Sequence, residues 1–168
     1  YLNKANTPNF DLLIQSGVTS NALVPVFTTK TFPNHYSIAT GMYAENHGLI
    51  ANTFYASDLK KHYAIRDRNA VENGEFYGGE PIWVTAERQG VITASYFWVG
   101  SEAVIKGRQP TYWKKYDQKL AFESRIDSVV SWFSYPTQSR PRLVLLYLGI
   151  FSPKIRAIFF SDITLLQI

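Results

Sequence analysis

The sequence predicts an α/β domain with a mostly parallel sheet flanked by helices. Segments with helical spacing alternate along the chain with short apolar segments that are typical of buried strands. The chain has 168 residues, of which 46% are hydrophobic and 18% are charged. This composition is sufficient for a folded core and differs from that of a disordered chain.

The first half of the chain predicts two helices and one strand. Thr7 and Pro8 are typical of a helix start, and Gly17 of its end. The apolar run over residues 22–27 predicts a buried strand. Pro33 then favours the start of a second helix over residues 33–40, which Gly41 would end.

The second half continues the alternation after a long irregular segment. Residues 42–79 carry many Asn, Asp and Gly residues, which is typical of functional loops or of small hairpins. Beyond it, the pattern predicts a helix over residues 81–89, a strand over 91–98, a loop over 100–116, a helix over 121–133 and a strand over 143–148.

Thr31 is the residue on which the functional interpretation depends. It lies between a predicted strand and a predicted helix, so we expect it at the carboxyl edge of the sheet, where ligands bind. The helix start favours an anion, and Lys30 adds a positive charge. A hydroxyl there could attack phosphorus if a bound metal lowered its pKa. The alternative is that Thr31 only caps the helix.

Charge and residue composition argue against several classes of function and of binding site. The net charge of +4 would attract an anionic substrate, but the basic residues are scattered, so no nucleic-acid-binding surface is predicted. Cysteine is absent, which excludes a disulfide framework and a thiolate metal site. No segment is apolar enough over sufficient length to span a membrane. The three histidines, His35, His47 and His62, lack metal-ligand spacing, so we expect structural roles for them.

Several short motifs follow one another along the chain. They are KTFPN at 30–34, TGMY at 40–43, ENHG at 45–48, NTFY at 52–55, GEPIW at 79–83 and RQPTY at 108–112. Together they resemble the motifs of the nucleotide pyrophosphatase/phosphodiesterase family, which belongs to the alkaline phosphatase superfamily. The resemblance implies that residues 1–148 form part of a catalytic domain with an alkaline phosphatase-like fold, incomplete here. Residues 149–168 form an atypical apolar tail that matches no family segment.

The resemblance also implies a function and two catalytic residues. The family consists of zinc-dependent phosphodiesterases and nucleotide pyrophosphatases, so the expected substrate is a nucleotide or another small phosphodiester. The threonine that matches Thr31 is the nucleophile, contacts one of two zinc ions and forms a covalent intermediate that water hydrolyses. The asparagine that matches Asn52 donates to a non-bridging phosphate oxygen. Without the resemblance, a turn residue would be the preferred interpretation of Asn52.

Three further residues are implied as substrate contacts. Lys30 would lie near the phosphate, and Phe32 and Tyr112 would flank the nucleotide base. Trp113 and Tyr116 are alternatives to Tyr112 after a small loop shift. The residues alone would make Phe32 a hydrophobic staple on the following helix.

The chain departs from the family pattern in its metal ligands. The family takes its first aspartate from a D-G-[FL]-R-like motif that lies upstream of this chain's start. It takes the other ligands from E-P-D-x-x-G-H and S-D-H-G motifs and a later histidine. Residues 149–154 contain neither aspartate nor histidine, and Ser161-Asp162 is not followed by His-Gly. We therefore expect Thr31 to be the one metal contact of this chain. We do not expect the chain to hold both zinc ions. We also expect the chain alone to be marginally stable and inactive or nearly so.

Two other function classes stay open. One is a phosphomonoesterase of the same superfamily, and the other is a non-catalytic truncated fragment or interaction module. The aromatic residues Phe32 and Tyr112 favour the diesterase. The residues leave the compartment unknown, and the resemblance implies a periplasmic or secreted protein.

Overall fold

The computed structural model describes residues 6–149 and, for the backbone only, Ile163–Gln167. The helices are α1 (Pro8–Ser16), α2 (Thr31–Thr40), α3 (Ala44–His47), α4 (Arg68–Val71), α5 (Ile82–Arg88) and α6 (Phe122–Phe133). The strands are β1 (Thr53–Ala56), β2 (Lys61–Ala64), β3 (Thr93–Tyr96), β4 (Tyr112–Lys114), β5 (Leu143–Tyr147) and β6 (Ile163–Gln167).

The main sheet has the strand order β4-β3-β5-β6. Strand β3 pairs in parallel with both β4 and β5, whereas β6 pairs antiparallel with β5. Helix α6 forms part of the crossover between the parallel strands β4 and β5. Strands β1 and β2 form a separate antiparallel hairpin. The predicted α/β architecture with a mostly parallel sheet is confirmed.

Both faces of the sheet are covered. Leu143 and Leu145 of β5 belong to one core, which includes residues of α2, α5 and the β1–β2 hairpin. Val144 and Leu146 belong to a second core, in which Trp132 of α6 is buried. Because successive side chains of a strand point to opposite faces, β5 contributes to both cores and reads as a continuous apolar run.

The strand predicted over residues 22–27 is wrong. The segment is irregular, and the side chains of Val24 and Phe27 are 85% and 87% exposed. Pro25 has no N–H to donate, and within residues 6–149 no strand pairs with this segment. The N–H of Val26 instead donates to Oδ1 of Asn34 at 2.7 Å. Apolar β-branched residues favour a strand, but a neighbouring strand must complete the hydrogen-bond ladder.

The interpretation of Thr31 as a helix cap is also wrong. Helix α2 begins at Thr31, two residues before the predicted start at Pro33, and Lys30 occupies the N-cap position. The side chain of Lys30 makes no capping hydrogen bond. The predicted end is confirmed, because Gly41 follows Thr40 with a positive φ of 68° and its N–H donates to the carbonyl of Ser37.

The remaining elements agree with the predictions, with some shortening. Helix α1 has its predicted bounds, and α5, α6, β3 and β5 lie within the predicted ranges. The segment 42–79 contains the β1–β2 hairpin and short helical turns. Strand β4 was predicted as loop because it has only three residues and two of them are exposed.

The tail that was predicted over residues 149–168 is described only at Gly149 and along the backbone of β6. Residues 150–162, with Ser161 and Asp162, lie outside the described residues, and so does residue 168. The interpretation of this tail as atypical stays a prediction. In the described part of the chain, none of the helices has the length and apolarity needed to cross a membrane.

Candidate active site

Helix α2 lies across the carboxyl ends of β3 and β5. Trp98, which follows β3, donates from Nε1 to the carbonyl of His35 at 3.2 Å. The His35 ring also contacts the ring of Trp98 and the ring of Tyr147, the last residue of β5, with centroid distances of 5.5 and 5.3 Å. These contacts bring the first turn of α2 to the edge of the sheet where Thr31 was expected. The cause is the packing of α2, since the described residues before Thr31, 6–30, contain no strand.

Thr31 is the half-buried first residue of α2. Its carbonyl accepts a hydrogen bond from Nδ1 of His35 at 2.6 Å. Its N–H and its hydroxyl have no hydrogen-bond partner within residues 6–149. A free hydroxyl and a free amide therefore lie at a helix start, where the helix dipole places partial positive charge.

The β1–β2 hairpin places Asn52 beside Thr31. Asn52 directly precedes β1, and its carbonyl accepts the N–H of Ile65 at 3.0 Å. Its side-chain Oδ1 accepts the N–H of Phe32 at 3.1 Å. Because Oδ1 is engaged in this way, the NH₂ group is the part of the amide that is left to donate to a ligand.

Lys30 lies next to this pair with a free charge. The residue is exposed, and its ammonium forms no ion pair with any residue that the structure describes. Its carbonyl is fixed, since it accepts the backbone N–H of Asn34 at 3.1 Å and the side-chain amide of Asn34 at 2.9 Å. The side chain is therefore available to an anion bound at the start of α2.

Phe32 is partly buried beside the hairpin. Its ring lies 6.3 Å from the ring of Tyr63 in β2, and it packs against the core on this face of the sheet. Core packing thus accounts for part of the ring, and its position next to Thr31 is compatible with the predicted contact to a substrate.

Tyr112 lies in a different environment. Its ring stacks on Trp132 at 6.3 Å, and its hydroxyl donates to the carbonyl of Ser139 at 2.9 Å. With Trp113, Lys114 and other residues it lines a shallow cleft of about 240 Å³. No hydrogen bond or ring contact among the described residues joins Tyr112 to Thr31, Phe32 or Asn52.

Tyr116 is better connected to the carboxyl edge than Tyr112. Its ring contacts the ring of Phe97, which follows β3 and precedes Trp98, at a centroid distance of 5.2 Å. Its N–H donates to the carboxylate of Glu102, which is paired with Arg68. Tyr116 thus contacts the segment that follows β3, whereas Tyr112 contacts Trp132 and Tyr135, and the contact of either residue with a base stays a prediction.

The histidines do not form a metal site with one another. His47 is fully buried, accepts the N–H of Leu49 at Nδ1 and contacts the hydroxyl of Ser37 through Nε2. Burial lowers the pKa of His47, against the opposing effect of backbone hydrogen bonds. Burial also lowers the pKa of His35, and the bond to the Thr31 carbonyl opposes this shift. His62 is exposed in β2.

The described residues do not fit a zinc site around Thr31. In residues 6–149, no three His, Asp or Glu side chains lie close enough together to hold a metal ion. Two zinc ions with Thr31 as a ligand therefore stay a prediction that rests on the family resemblance.

Asn34 is a site residue that the sequence interpretation missed. Its side chain accepts the N–H of Val26 at 2.7 Å and donates to the carbonyls of Thr28 at 3.2 Å and Lys30 at 2.9 Å. The signal that could have found it is its spacing. Asn34 follows Lys30 by four residues, so its side chain lies over the first turn of α2, and the same holds for His35 and Thr31.

Comparisons with known proteins identify relatives that match most of this chain. A model of the type I phosphodiesterase/nucleotide pyrophosphatase family matches residues 1–150. A venom phosphodiesterase of Crotalus durissus collilineatus is 42% identical over 141 residues, which are 84% of this chain and 17% of that protein. The human ectonucleotide pyrophosphatase/phosphodiesterase family member 1 is 41% identical over 141 residues, 84% of this chain and 15% of that protein.

Solved structures show the same fold. Murine ectonucleotide pyrophosphatase/phosphodiesterase 5 superposes with a TM-score of 0.79 and 32% identity over 94% of this chain and 41% of that chain. The human protein gives a TM-score of 0.81 with the same identity and coverage. Another murine structure is an inactive threonine-to-alanine variant in complex with AMP. The chain thus spans a minor part of the length of these relatives.

Proposed function

The chain belongs to the type I phosphodiesterase/nucleotide pyrophosphatase family, and on this premise we propose that its parent protein cleaves phosphodiesters with Thr31 as the nucleophile. The observation that carries the proposal is the juxtaposition of Thr31 and Asn52. Asn52 bonds the N–H of the residue after Thr31, so an unbonded hydroxyl and a side-chain NH₂ group both belong to the start of α2. This helix is anchored at the carboxyl edge of an alkaline phosphatase-like sheet.

The arrangement supports a two-step displacement. Oγ1 of Thr31 forms a bond to phosphorus while the bond to the leaving oxygen breaks, which gives a covalent nucleotidyl-threonine. Water then attacks the phosphorus and releases Thr31. Asn52 donates to a non-bridging oxygen, where negative charge increases in the transition state. The Lys30 ammonium and the start of α2 add positive charge on the same side.

The proton of the Thr31 hydroxyl needs an acceptor or an ion that stabilises the alkoxide. Within residues 6–149, no side chain accepts a hydrogen bond from Oγ1. We propose that two zinc ions serve the parent protein, as the family resemblance implies, with ligands other than Thr31 supplied from outside the described residues. The inactive threonine-to-alanine relative supports a threonine of this kind in catalysis.

The proposed substrate is a nucleotide phosphodiester. The murine relative with bound AMP supports a nucleotide, and Phe32 offers an aromatic ring beside Thr31. We place Tyr116 ahead of Tyr112 as the second ring, because Tyr116 contacts Phe97 at the end of β3. An extracytoplasmic location is proposed from the relatives that are named venom and ectonucleotide enzymes.

A titration of the ¹⁵N-labelled chain with AMP tests the proposed site. We expect AMP to shift the amide signal of Thr31 and the side-chain NH₂ signals of Asn52. Adenosine, which lacks the phosphate, should leave these signals in place. Asn52→Ala should weaken AMP binding, whereas the matched change Asn69→Ala at an exposed position should not. Shifts at the cleft beside Tyr112 without shifts in α2 would contradict the proposal.

A further inference from the structure

Side chains hold the peptide groups on both sides of Thr31. On the N-terminal side, the Lys30 carbonyl accepts both the backbone N–H and the side-chain amide of Asn34. On the C-terminal side, the Thr31 carbonyl accepts Nδ1–H of His35, and the Phe32 N–H donates to Asn52. An ordinary helix start leaves its first N–H groups to water or to a capping side chain, and its first carbonyls to backbone N–H groups alone. Here Asn52 bonds one of these N–H groups, and the side chains of Asn34 and His35 add bonds to two of the carbonyls.

Both ends of the Asn34 side-chain amide form hydrogen bonds to the backbone around the helix start, and both hydrogens of its NH₂ group are used. Oδ1 accepts the N–H of Val26, and the NH₂ group donates to the carbonyls of Thr28 and Lys30. The irregular segment before α2 is thereby tied to the first turn of the helix. The direction of the peptide between Lys30 and Thr31 follows from this side chain.

The hydrogen bond to Thr31 identifies which nitrogen of the His35 ring carries a hydrogen. A carbonyl oxygen can only accept, so the nitrogen that bonds the Thr31 carbonyl, Nδ1, carries hydrogen. Nε2 is buried and has no partner among the described residues, and the residue is only 8% exposed. The hydrogen bond to Thr31 therefore depends on one identified ring nitrogen.

The position of His35 is set by the ends of the two central strands. Trp98 donates to its carbonyl and contacts its ring, and Tyr147 contacts the ring at 5.3 Å. The ring therefore contacts residues at the carboxyl ends of β3 and β5 and bonds the Thr31 carbonyl at the same time. A side chain that only filled the core would not need its Nδ1 directed at this carbonyl.

We propose that Asn34 and His35 are positioning residues that fix the two peptide groups flanking Thr31, so that its hydroxyl faces a bound phosphate in one orientation. This inference rests on the proposed function for its ligand, but the fixation itself can be measured without one. Neither residue contacts the reacting atoms. Each acts through the backbone of Thr31 and reduces the entropy that Thr31 loses when the phosphate binds.

Two replacements of His35 separate hydrogen bonding from packing. In His35→Asn the amide NH₂ replaces Nδ1–H, and in His35→Gln it lies near the former Nε2 position. Amide exchange of Phe32, with the Leu145 amide as internal reference, reports on the Thr31–Phe32 peptide. AMP affinity reports on the consequence for the ligand. Asn34→Ala provides the second test if His35→Gln does not fold, and Asn69→Ala is the control.

We expect His35→Gln and Asn34→Ala to weaken AMP binding about tenfold, the value of one good hydrogen bond. His35→Gln should also accelerate Phe32 exchange about tenfold, while His35→Asn stays within about threefold of the original chain in both measurements. Equal effects of His35→Asn and His35→Gln on exchange, or no effect of either, would overturn the inference. If the original chain does not bind AMP but the exchange pattern is as expected, the positioning stands and the proposed function fails.

Discussion

Thr31 combines a fixed backbone with an unbonded hydroxyl. The carbonyl of Thr31 is held by His35, and the next N–H along the chain is held by Asn52. A nucleophile in such a setting loses little conformational freedom when its target binds, and the charge at the start of α2 is already in place. These contacts are compatible with the nucleophile role proposed for Thr31, whereas a helix cap would use its hydroxyl on the helix.

Asn52→Asp should change stability and binding in opposite directions. The aspartate keeps an oxygen for the Phe32 N–H, and a negative charge at the start of α2 is favourable by about 0.3–1 kcal/mol. The same change removes the NH₂ donor and repels a phosphate. We expect an unchanged or higher melting temperature together with an AMP affinity that is at least about tenfold weaker. A parallel loss of both would indicate that Asn52 acts only in folding.

His47 should make the free energy of unfolding depend on pH. Its Nδ1 accepts the Leu49 N–H, so protonation there breaks this bond inside the core. Because burial lowers the pKa of His47 in the folded chain below its usual value of about 6.5, the unfolded chain binds the proton first. The contribution of His47 to the free energy of unfolding should be constant above about pH 6.5 and fall below it by up to about 1.4 kcal/mol per pH unit.

Urea unfolding at several pH values measures this dependence. His47→Gln should reduce the slope below about pH 6.5. The matched change at the exposed His62, His62→Gln, should retain it. A slope that survives unchanged in His47→Gln would assign the effect to another group.

At the level of elements, the side chain of Glu87 bonds residues at the amino ends of β3 and β4, which lie opposite the proposed site. Its Oε1 accepts the N–H and the hydroxyl of Thr93 at 2.8 Å each, and the N–H and the hydroxyl of Thr111 at 2.9 and 2.8 Å. Burial raises the pKa of Glu87, but these hydrogen bonds outweigh it, so the pKa lies below its usual value. The side chain therefore links α5 to the starts of β3 and β4.

Glu87→Gln should lower the free energy of unfolding by about 1–2 kcal/mol, because the four donors lose a charged acceptor. Chemical denaturation measures the change. Glu123→Gln on the exposed side of α6 is the matched control and should alter stability by at most about 0.5 kcal/mol. If the two variants are equally stable, the linkage through Glu87 contributes nothing to the fold.

Helix α1 should be the least protected helix of the described chain. It has nine residues and none of them is buried, although Phe10, Leu12, Leu13 and Ile14 are apolar. An isolated helix of this length is marginal in water, since its stability comes from packing. Amide exchange should be near the unprotected rate in α1 and slow in α2 and β5. Strong protection in α1 would show that another surface covers it.

At the level of the whole molecule, the chain covers only part of the length of its solved relatives. It spans 41% of the solved murine relative, and residues 6–149 hold no group of metal ligands. Thr31 and Asn52 are present, but no acceptor for the Thr31 proton is described. The expectation that the chain is marginally stable stays a prediction.

We expect no measurable hydrolysis of a nitrophenyl nucleotide ester by this chain alone, even with added zinc, because the hydroxyl pKa of threonine is too high for unaided attack. The assay is the release of nitrophenol over hours, compared with Thr31→Ala. Zinc-dependent release by the original chain that disappears in Thr31→Ala would contradict this expectation.

The sequence predicted most elements because their signals are local. Gly41 marks the end of α2, and the spacing of apolar residues marks α6. The strand over 22–27 failed because a strand depends on a partner elsewhere in the chain. Strand β4 was missed for the complementary reason, since its exposed residues gain strand structure only from pairing with β3.

By itself, the sequence determined the α/β class, the family and the pair of Thr31 and Asn52 as candidates. Motif order and residue type carry this information along the chain. The tertiary structure decided that α2, and not a preceding strand, brings Thr31 to the sheet edge. It also showed the bonds of Asn34 and His35 to the first turn of α2 and the contact of Tyr116 with Phe97. The bonds of Asn34 and His35 are local and follow from their spacing once α2 begins at Thr31. The place of α2 at the sheet edge depends instead on contacts between segments far apart in sequence, whose geometry exists only once the sheet and α2 have packed together.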